Sequence, residues 1–373
     1  MAAASTGTAT APALAAPRGA AFGASSSVRC AEGEPAARAF DAALTAKKRE
    51  GTMKTPMLAM GALLMLAACN NAATPPLAAE VRPLAAQVAP PAAAPIDPAK
   101  VEASTGIKPE SADGVVKISY PRNEVKVEVD GWAMPPFMGL TSWAGFTPGE
   151  KPGVEAMVMG DLVLFEDEVS DAMSAALSNG LSVTALHNHF FHDKPHVYFM
   201  HIESEGTVDA LGKGVRAALD AMKAARAKAA QPKDRFDGPP IPAKSAIDAA
   251  KVEAVFGAKA ATKDGMAKVT IGRPAAAAAC GCKIGKAMGV NTWAAFAGTD
   301  ENAVVDGDFA VTEDELQPVL KSLRGSGIHV VAIHHHMVGE TPRILFLHYW
   351  GRGPVATLAA SVKKAIDLTK AGG

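Results

Sequence analysis

Two stretches of this chain match each other without a gap: Ala185 to His201, and Ala332 to His348. His187 pairs with His334, His189 with His336, Pro195 with Pro342 and His201 with His348, each 147 positions apart. The likeness extends outward on both sides. Lys100-Val101-Glu102 returns as Lys251-Val252-Glu253, Asp113-Gly114 as Asp264-Gly265, and Trp143 with Phe146 as Trp293 with Phe296. Gly160-Asp161 with Glu166-Asp167-Glu168 returns as Gly307-Asp308 with Glu313-Asp314-Glu315. The offset drifts from 151 (Lys100 to Lys251) to 150 (Trp143 to Trp293) and then 147, as small loop deletions produce. Solenoid repeats run about 20 to 50 residues, so a period this long means a duplicated domain. Most of the ten histidines fall in or beside the two copies, which puts the candidate chemistry there.

The chain has 373 residues, 49% hydrophobic and 20% charged, with formal net charge −1 and a pI of about 6.8. That is room for two cores. The charge balance argues against nucleic acid, because no basic element is available to track phosphate. Of the four cysteines, Cys30 and Cys69 precede the folded region, and Cys280 and Cys282 lie within it. One intervening residue makes a strained disulfide at best. Two readings stay open for that pair: thiols replacing small strand residues, or a soft-metal or redox role.

Residues 1–52 are rich in Ala, Ser, Gly and Thr, without apolar periodicity. From Met53 come Lys54, a short apolar run and Leu66-Ala67-Ala68-Cys69. A basic residue, a short apolar stretch and a small-residue cleavage site form a signal peptide, too short to span a bilayer comfortably. Leu-Ala-Ala-Cys resembles a bacterial lipobox, which implies cleavage before Cys69, acylation of its thiol and Met53 as the expected start. The alternative is an apolar run ending in a chance cysteine. Prolines from Pro75 to Pro98 then favour an extended tether.

The expected layout is a leader at 1–69, a tether at 70–96, a first repeat domain at 97–228, a linker at 229–245 and a second repeat domain at 246–370. Within the first copy a short helix opens at Pro98. Strands are expected around Val115–Ser119, Val125–Val129, Leu140–Phe146 and Val154–Met159. A helix runs from Glu166 through Leu177, closed by Asn179-Gly180, and the histidine hairpin spans Leu181–Glu203. Thr207 caps a last helix whose Leu211, Val215, Leu219 and Met222 share one face. Each copy is thus an α+β unit, an antiparallel sheet packed with two or three helices.

In a strand, residues i and i+2 share a face, so His187 and His189 project together, as do His334 and His336. With a turn centred near Lys194, His187 faces His201 directly, and His348 completes the second set. Asn188 and Phe190 are expected on the opposite face. Three imidazoles with an open fourth position suit zinc, and equally copper, nickel or iron. The competing reading makes the histidines structural, half-buried and satisfying one another. His192, His196, Asn188 and Glu203 become Gly339, Arg343, His335 and Trp350 in the second copy, so they can tune a site but are poor shared ligands. Glu203, on the His201 face, is the one candidate general base. Gly160-Asp161 and Gly307-Asp308 read as turns that could alternatively supply a carboxylate. The Glu-Asp-Glu runs read as helix starts, with Thr312 and Glu315 as a capping box. Met134, Met138, Met157, Met159 and Met200 read as core filler rather than copper ligands. No phosphate loop, nucleophile elbow or paired catalytic carboxylate stands out.

The run from Leu186 to Glu203, its second copy and the lipobox together resemble the LppY/LpqO family of bacterial lipoproteins, over about Asp97 to Asp367. The resemblance implies an envelope location and a domain type but supplies no catalytic residues. Cys280-Gly281-Cys282 and the triple His334-His335-His336 are departures of this chain from the family's pattern. The sequence therefore points to a lipid-anchored envelope protein, attached to the membrane through Cys69 and facing the periplasm or exterior. It would bind a transition metal, zinc or copper, or a small polar ligand. The alternatives are a metal-dependent hydrolase using His187, His189 and His201 with Glu203 as base, or a non-catalytic interaction module whose histidines only pack. No protein partner is legible.

Overall fold

A computed structural model describes residues 94–274 and 276–371. All the described residues lie in one compact unit, within Ala85–Gly373. The lipobox with Cys69 and the tether up to residue 93 fall outside them.

The first copy runs α1 (Pro98–Thr105), β1 (Glu110–Ala112), β2 (Val115–Pro121), β3 (Val127–Val129), β4 (Trp132–Met134), β5 (Thr141–Pro148) and β6 (Ala156–Phe165). It continues through α2 (Glu166–Ser178), β7 (Ser182–His187), β8 (Asp193–Lys194), β9 (Val197–Gly206) and α3 (Val208–Lys228). The second copy follows as α4 (Ala249–Phe256), β10 (Ala261–Lys263), β11 (Met266–Gly272), β12 (Ala276–Ala277), β13 (Lys283–Ile284) and β14 (Asn291–Gly298). It ends with β15 (Ala303–Thr312), α5 (Glu313–Gly325), β16 (His329–His334), β17 (Ile344–Gly353) and α6 (Val355–Ile366). The fold is α+β, as expected from the sequence.

Local chemistry sets the element ends. Asp97 and Asp248 cap α1 and α4 through their side chains, and Gly106 and Gly257, both at left-handed φ, close them. Thr207 caps α3 by accepting from the Ala210 N–H, and Thr312 with Glu315 forms a capping box at α5.

The two copies build one twelve-stranded sheet in the order β1-β2-β5-β6-β9-β7-β16-β17-β15-β14-β11-β10. Each half mirrors the other, and the central strands β7 and β16 are equivalents pairing antiparallel through Leu186 and Ile333. Those two residues are themselves 147 positions apart, so a local two-fold axis passes between them. Where this ladder stops, Gln317 of α5 takes over: its side chain bonds both the N–H (3.0 Å) and the carbonyl (2.8 Å) of Val183. Beside this point a bulge between Val183 and Ala185 interrupts the β7–β9 register.

Helices cover one face of the sheet. There a single apolar core runs through both copies and takes in Leu186, Met200, Ile202, Ile333, Leu347 and Tyr349. Full burial of side chains like Leu186 contributes roughly 1.5–3 kcal/mol each. Two smaller clusters lie elsewhere. Val125, Val127, Val163, Phe165, Val197 and Phe199 form one beneath β3, and Ala276, Ala310, Ile344 and Phe346 form the other beneath β12. Between these patches the centre of the face is left open. Among the described residues no helix is long and apolar enough to cross a membrane.

The seam between the copies carries a titratable group. His329 Nδ1 lies 2.6 Å from Ser170 Oγ of α2, and Phe236 of the linker stacks on its ring at 4.1 Å. Burial first, and the Arg324 guanidinium second, push its pKa down to about 4. Between about pH 4 and the unfolded value near 6.5, the unfolded chain takes up a proton that the native one refuses. Stability from this site is therefore complete above that window and lost as pH falls through it, by up to about 3 kcal/mol. Urea titrations of wild type and His329→Gln at pH 7.5 and 4.5 should show the variant losing less on acidification. Parallel losses would remove His329 as the cause.

Candidate metal centre

The histidine hairpin is β7 and β9, but its register differs from the one centred on Lys194. His201 sits opposite Ala185, and His187 opposite Phe199. The pairing is displaced by two residues, and a two-residue shift keeps every side chain on its face. His187 and His201 therefore still meet, diagonally, with Nε2 to Nε2 at 3.1 Å. His189 lies past the end of β7, yet its ring returns to the cluster because it stacks on Phe199 at 3.3 Å and 6°. Ligand nitrogens of His187, His189 and His201 all lie within 4.8 Å of one another.

Phe190 corrects the alternation argument. It packs edge-on against His189 and Phe199, on the site's own side, because the chain after His187 has left the strand. Asn188 is exposed and holds this loop by donating to the Phe190 carbonyl.

The second copy repeats the ring stacking, although among the described residues only the first triad brings all its ligand nitrogens within 4.8 Å of one another. His334 stacks 5.1 Å from both His336 and His348, and His336 lies on Phe346 at 3.5 Å and 8°. The corresponding spacings in the first copy are 5.0 and 5.1 Å.

Tautomers follow from the backbone. His187 Nδ1–H is placed 3.3 Å from the Asn188 carbonyl, which leaves the Nε2 lone pair facing His201. Four-coordinate zinc with Zn–N near 2.0–2.1 Å holds its nitrogens about 3.3–3.4 Å apart, close to the spacing found between His187 and His201. Burial pushes the pKa values of His189, His334 and His336 down, so these rings favour the neutral form that binds metal.

Reading Gly160-Asp161 and Gly307-Asp308 as turns is wrong. Both pairs lie in mid-strand, in β6 and β15, with Asp161 directly opposite His201 and Asp308 directly opposite His348. The glycine has a packing reason. A Cβ at Gly160 would come 2.7 Å from the Trp143 carbonyl, and one at Gly307 would come 2.2 Å from the Tyr349 hydroxyl. Thus Gly admits the neighbouring strand and Asp serves the histidine face. In each aspartate Oδ1 is buried without a hydrogen-bond partner among the described residues. Burial raises the Asp161 pKa against the attraction of His201, His189 and His187. Asp308 is pushed up to about 7 by burial and then by Asp306. An orphaned carboxylate oxygen is expensive to bury, and a cation beside it removes the penalty.

The other candidates fall outside the cluster. Glu203 is exposed on the same face, one alternation beyond His201. His192 is exposed at φ +59°, and its counterpart Gly339 has φ +76°, so that exchange follows backbone conformation rather than ligation. His196 pairs with Asp193 as Arg343 pairs with Glu340. Asp193 and Glu340 are buried, and each accepts from the backbone N–H that opens the returning strand, at Val197 and Ile344. Sequence reading missed these two clamps because one copy uses Asp and the other Glu. Cys280 and Cys282 are free and exposed on the turn between β12 and β13, not in strands. Of the methionines, Met200 is core, whereas Met138 and Met159 are exposed.

A family model described as "Domain of Unknown Function (DUF1259)" matches residues 99–221 and again 250–368, together more than half of the chain. The chain belongs to this family. It carries the domain twice, in tandem. No curated protein matches. A trimeric bacterial microcompartment shell protein, PduB, aligns with 13% identity and a TM-score of 0.16, over 70% of this chain and 89% of that one. A likeness that weak carries no argument. The histidine triad of this duplicated domain could hold a metal ion.

Proposed function

We propose that each half of the protein binds one divalent transition-metal ion, through His187, His189, His201 and Asp161 in the first copy and His334, His336, His348 and Asp308 in the second. The observation that carries this reading is the pairing of three imidazoles, with ligand nitrogens all within 4.8 Å in the first copy and rings stacked alike in the second, with an aspartate whose buried Oδ1 has no hydrogen-bond partner among the described residues. Nitrogen with carboxylate oxygen suits zinc, copper(II), nickel or iron(II). Binding is favoured over hydrolysis because Glu203, the base a hydrolase would use in the first copy, is replaced by Trp350 in the second. Elemental analysis of the purified chain after dialysis against zinc should give about two equivalents. A value near zero would leave the histidines as packing groups.

We further infer that the protein is an LppY/LpqO-type lipoprotein held at the bacterial envelope by an acylated Cys69. The support is the basic residue, apolar run and Leu66-Ala67-Ala68-Cys69 sequence. Cys69→Ala should accumulate as precursor or leave the membrane fraction. Unaltered processing and partition would remove the anchor.

A further inference from the structure

Strand order puts the two centres side by side. Leu186 and Ile333 are cross-strand partners, so Ala185, His187, Ala332 and His334 project from one face, the face turned away from the helical core. The first triad straddles β9 and β7, and the second straddles β16 and β17, on either side of the β7–β16 seam. Neighbouring strands lie about 4.8 Å apart, so the two centres are two strand spacings, about 10 Å, from each other. The local two-fold through Leu186 and Ile333 relates them, with His187 beside Ala332 and His334 beside Ala185, so the two centres are displaced in opposite directions along the strands. The central residues of this strip are half-buried or exposed, and the covering strands β3 and β12 stand over apolar clusters elsewhere. Farther out along the same rows, Trp143 opposite Asp161 and Trp293 opposite Asp308 each carry a lysine on the ring, Lys117 at 4.5 Å and Lys268 at 3.7 Å.

We propose that the two centres form one bipartite site for an elongated anion with an oxyanion at each end, each end ligating one metal ion. This rests on the metal reading above and adds to it that the two ions share one ligand. The physical advantage is effective concentration: once one end is bound, the other is held near the second ion, and avidity rises without new contacts. With metal–oxygen bonds of about 2.0–2.2 Å at each end, the ligand's terminal oxygens must span roughly 6–10 Å. The lysines at the two ends of the row favour negative charge there. Duplication within one chain then has a purpose that two separate domains would not serve, since a single sheet fixes the spacing.

The test is calorimetric titration of the zinc-loaded full chain with straight-chain dicarboxylates from glutarate to sebacate, with acetate as the one-ended control. Affinity should peak at an intermediate length, about 100-fold or more tighter than acetate. The peak should vanish in both His187→Ala/His189→Ala and His334→Ala/His336→Ala. Two zinc ions bound with no dependence on length would overturn the bipartite site and leave the metal reading standing. So would a peak that survives loss of either triad. Absence of zinc binding would overturn both.

Discussion

The His187→Ala/His189→Ala protein should bind about one metal equivalent fewer than wild type, with the first site weakened by more than about 100-fold. Both residues belong to the open side of the sheet, His187 half-buried and His189 exposed, so the apolar core against the helices is untouched. Circular dichroism and the urea midpoint without metal should therefore stay close to wild type. The second triad, built from separate strands, should keep its ion. Isothermal titration with zinc reads both numbers. Retention of two equivalents would reject the first site, and loss of both would mean that the centres are not independent in binding metal.

Glu168→Ala should be the most destabilising single change. Arg122 is 1% exposed and Glu168 0%, joined by paired bonds of 2.8 and 2.9 Å. Arg122 also donates to the Val163 carbonyl, and Glu168 accepts from the Phe165 N–H at the start of α2. The pair thus ties the end of β2 to the cap of a helix. Arg273, Ala310 and Glu315 repeat it in the second copy. Removing Glu168 takes a buried carboxylate from both Arg122 and Arg226, leaving them Glu124 and Asp167, and costs about 3–5 kcal/mol. Replacing both, as Arg122→Met/Glu168→Leu, should recover part of that, because the Arg122 charge goes while Arg226, which also pairs with Glu168 at 2.7 Å, keeps only Asp167. Urea unfolding of the three proteins decides it, and a loss below about 1 kcal/mol in Glu168→Ala would show that water reaches Arg122.

The duplication, the helix caps and the histidine hairpin were legible because each is written in local order: a fixed offset, a Thr or Asp before a helix, an alternating strand. The register of that hairpin was not, since a two-residue slip changes partners without changing faces. Gly160-Asp161 was misread for a related reason. Glycine before aspartate is the composition of a turn, and only the approach of the Trp143 carbonyl, and in the second copy of Tyr349, shows that the glycine answers to packing. Phe190 was misplaced because period-two reasoning was carried past His187, where the strand has ended. The β7–β16 seam lay furthest from reach. It depends on two equivalent strands meeting across a two-fold axis, and a sequence that specifies each half says nothing local about which edge of one half will accept the other. Cys280 and Cys282 stand where the first copy has Asp130 and Trp132, on a turn, and nothing in the structure explains the exchange.

The central claim is that imidazoles and an aspartate from each half hold a metal ion, and X-ray absorption at the zinc edge of the two-equivalent protein tests it most directly. The expected spectrum has a first shell of nitrogen and oxygen at about 2.0–2.1 Å, with outer-shell scattering from about three imidazoles per zinc and no sulfur. A shell of sulfur near 2.3 Å, which would point to Cys280 and Cys282, or a shell without imidazole scattering would contradict it.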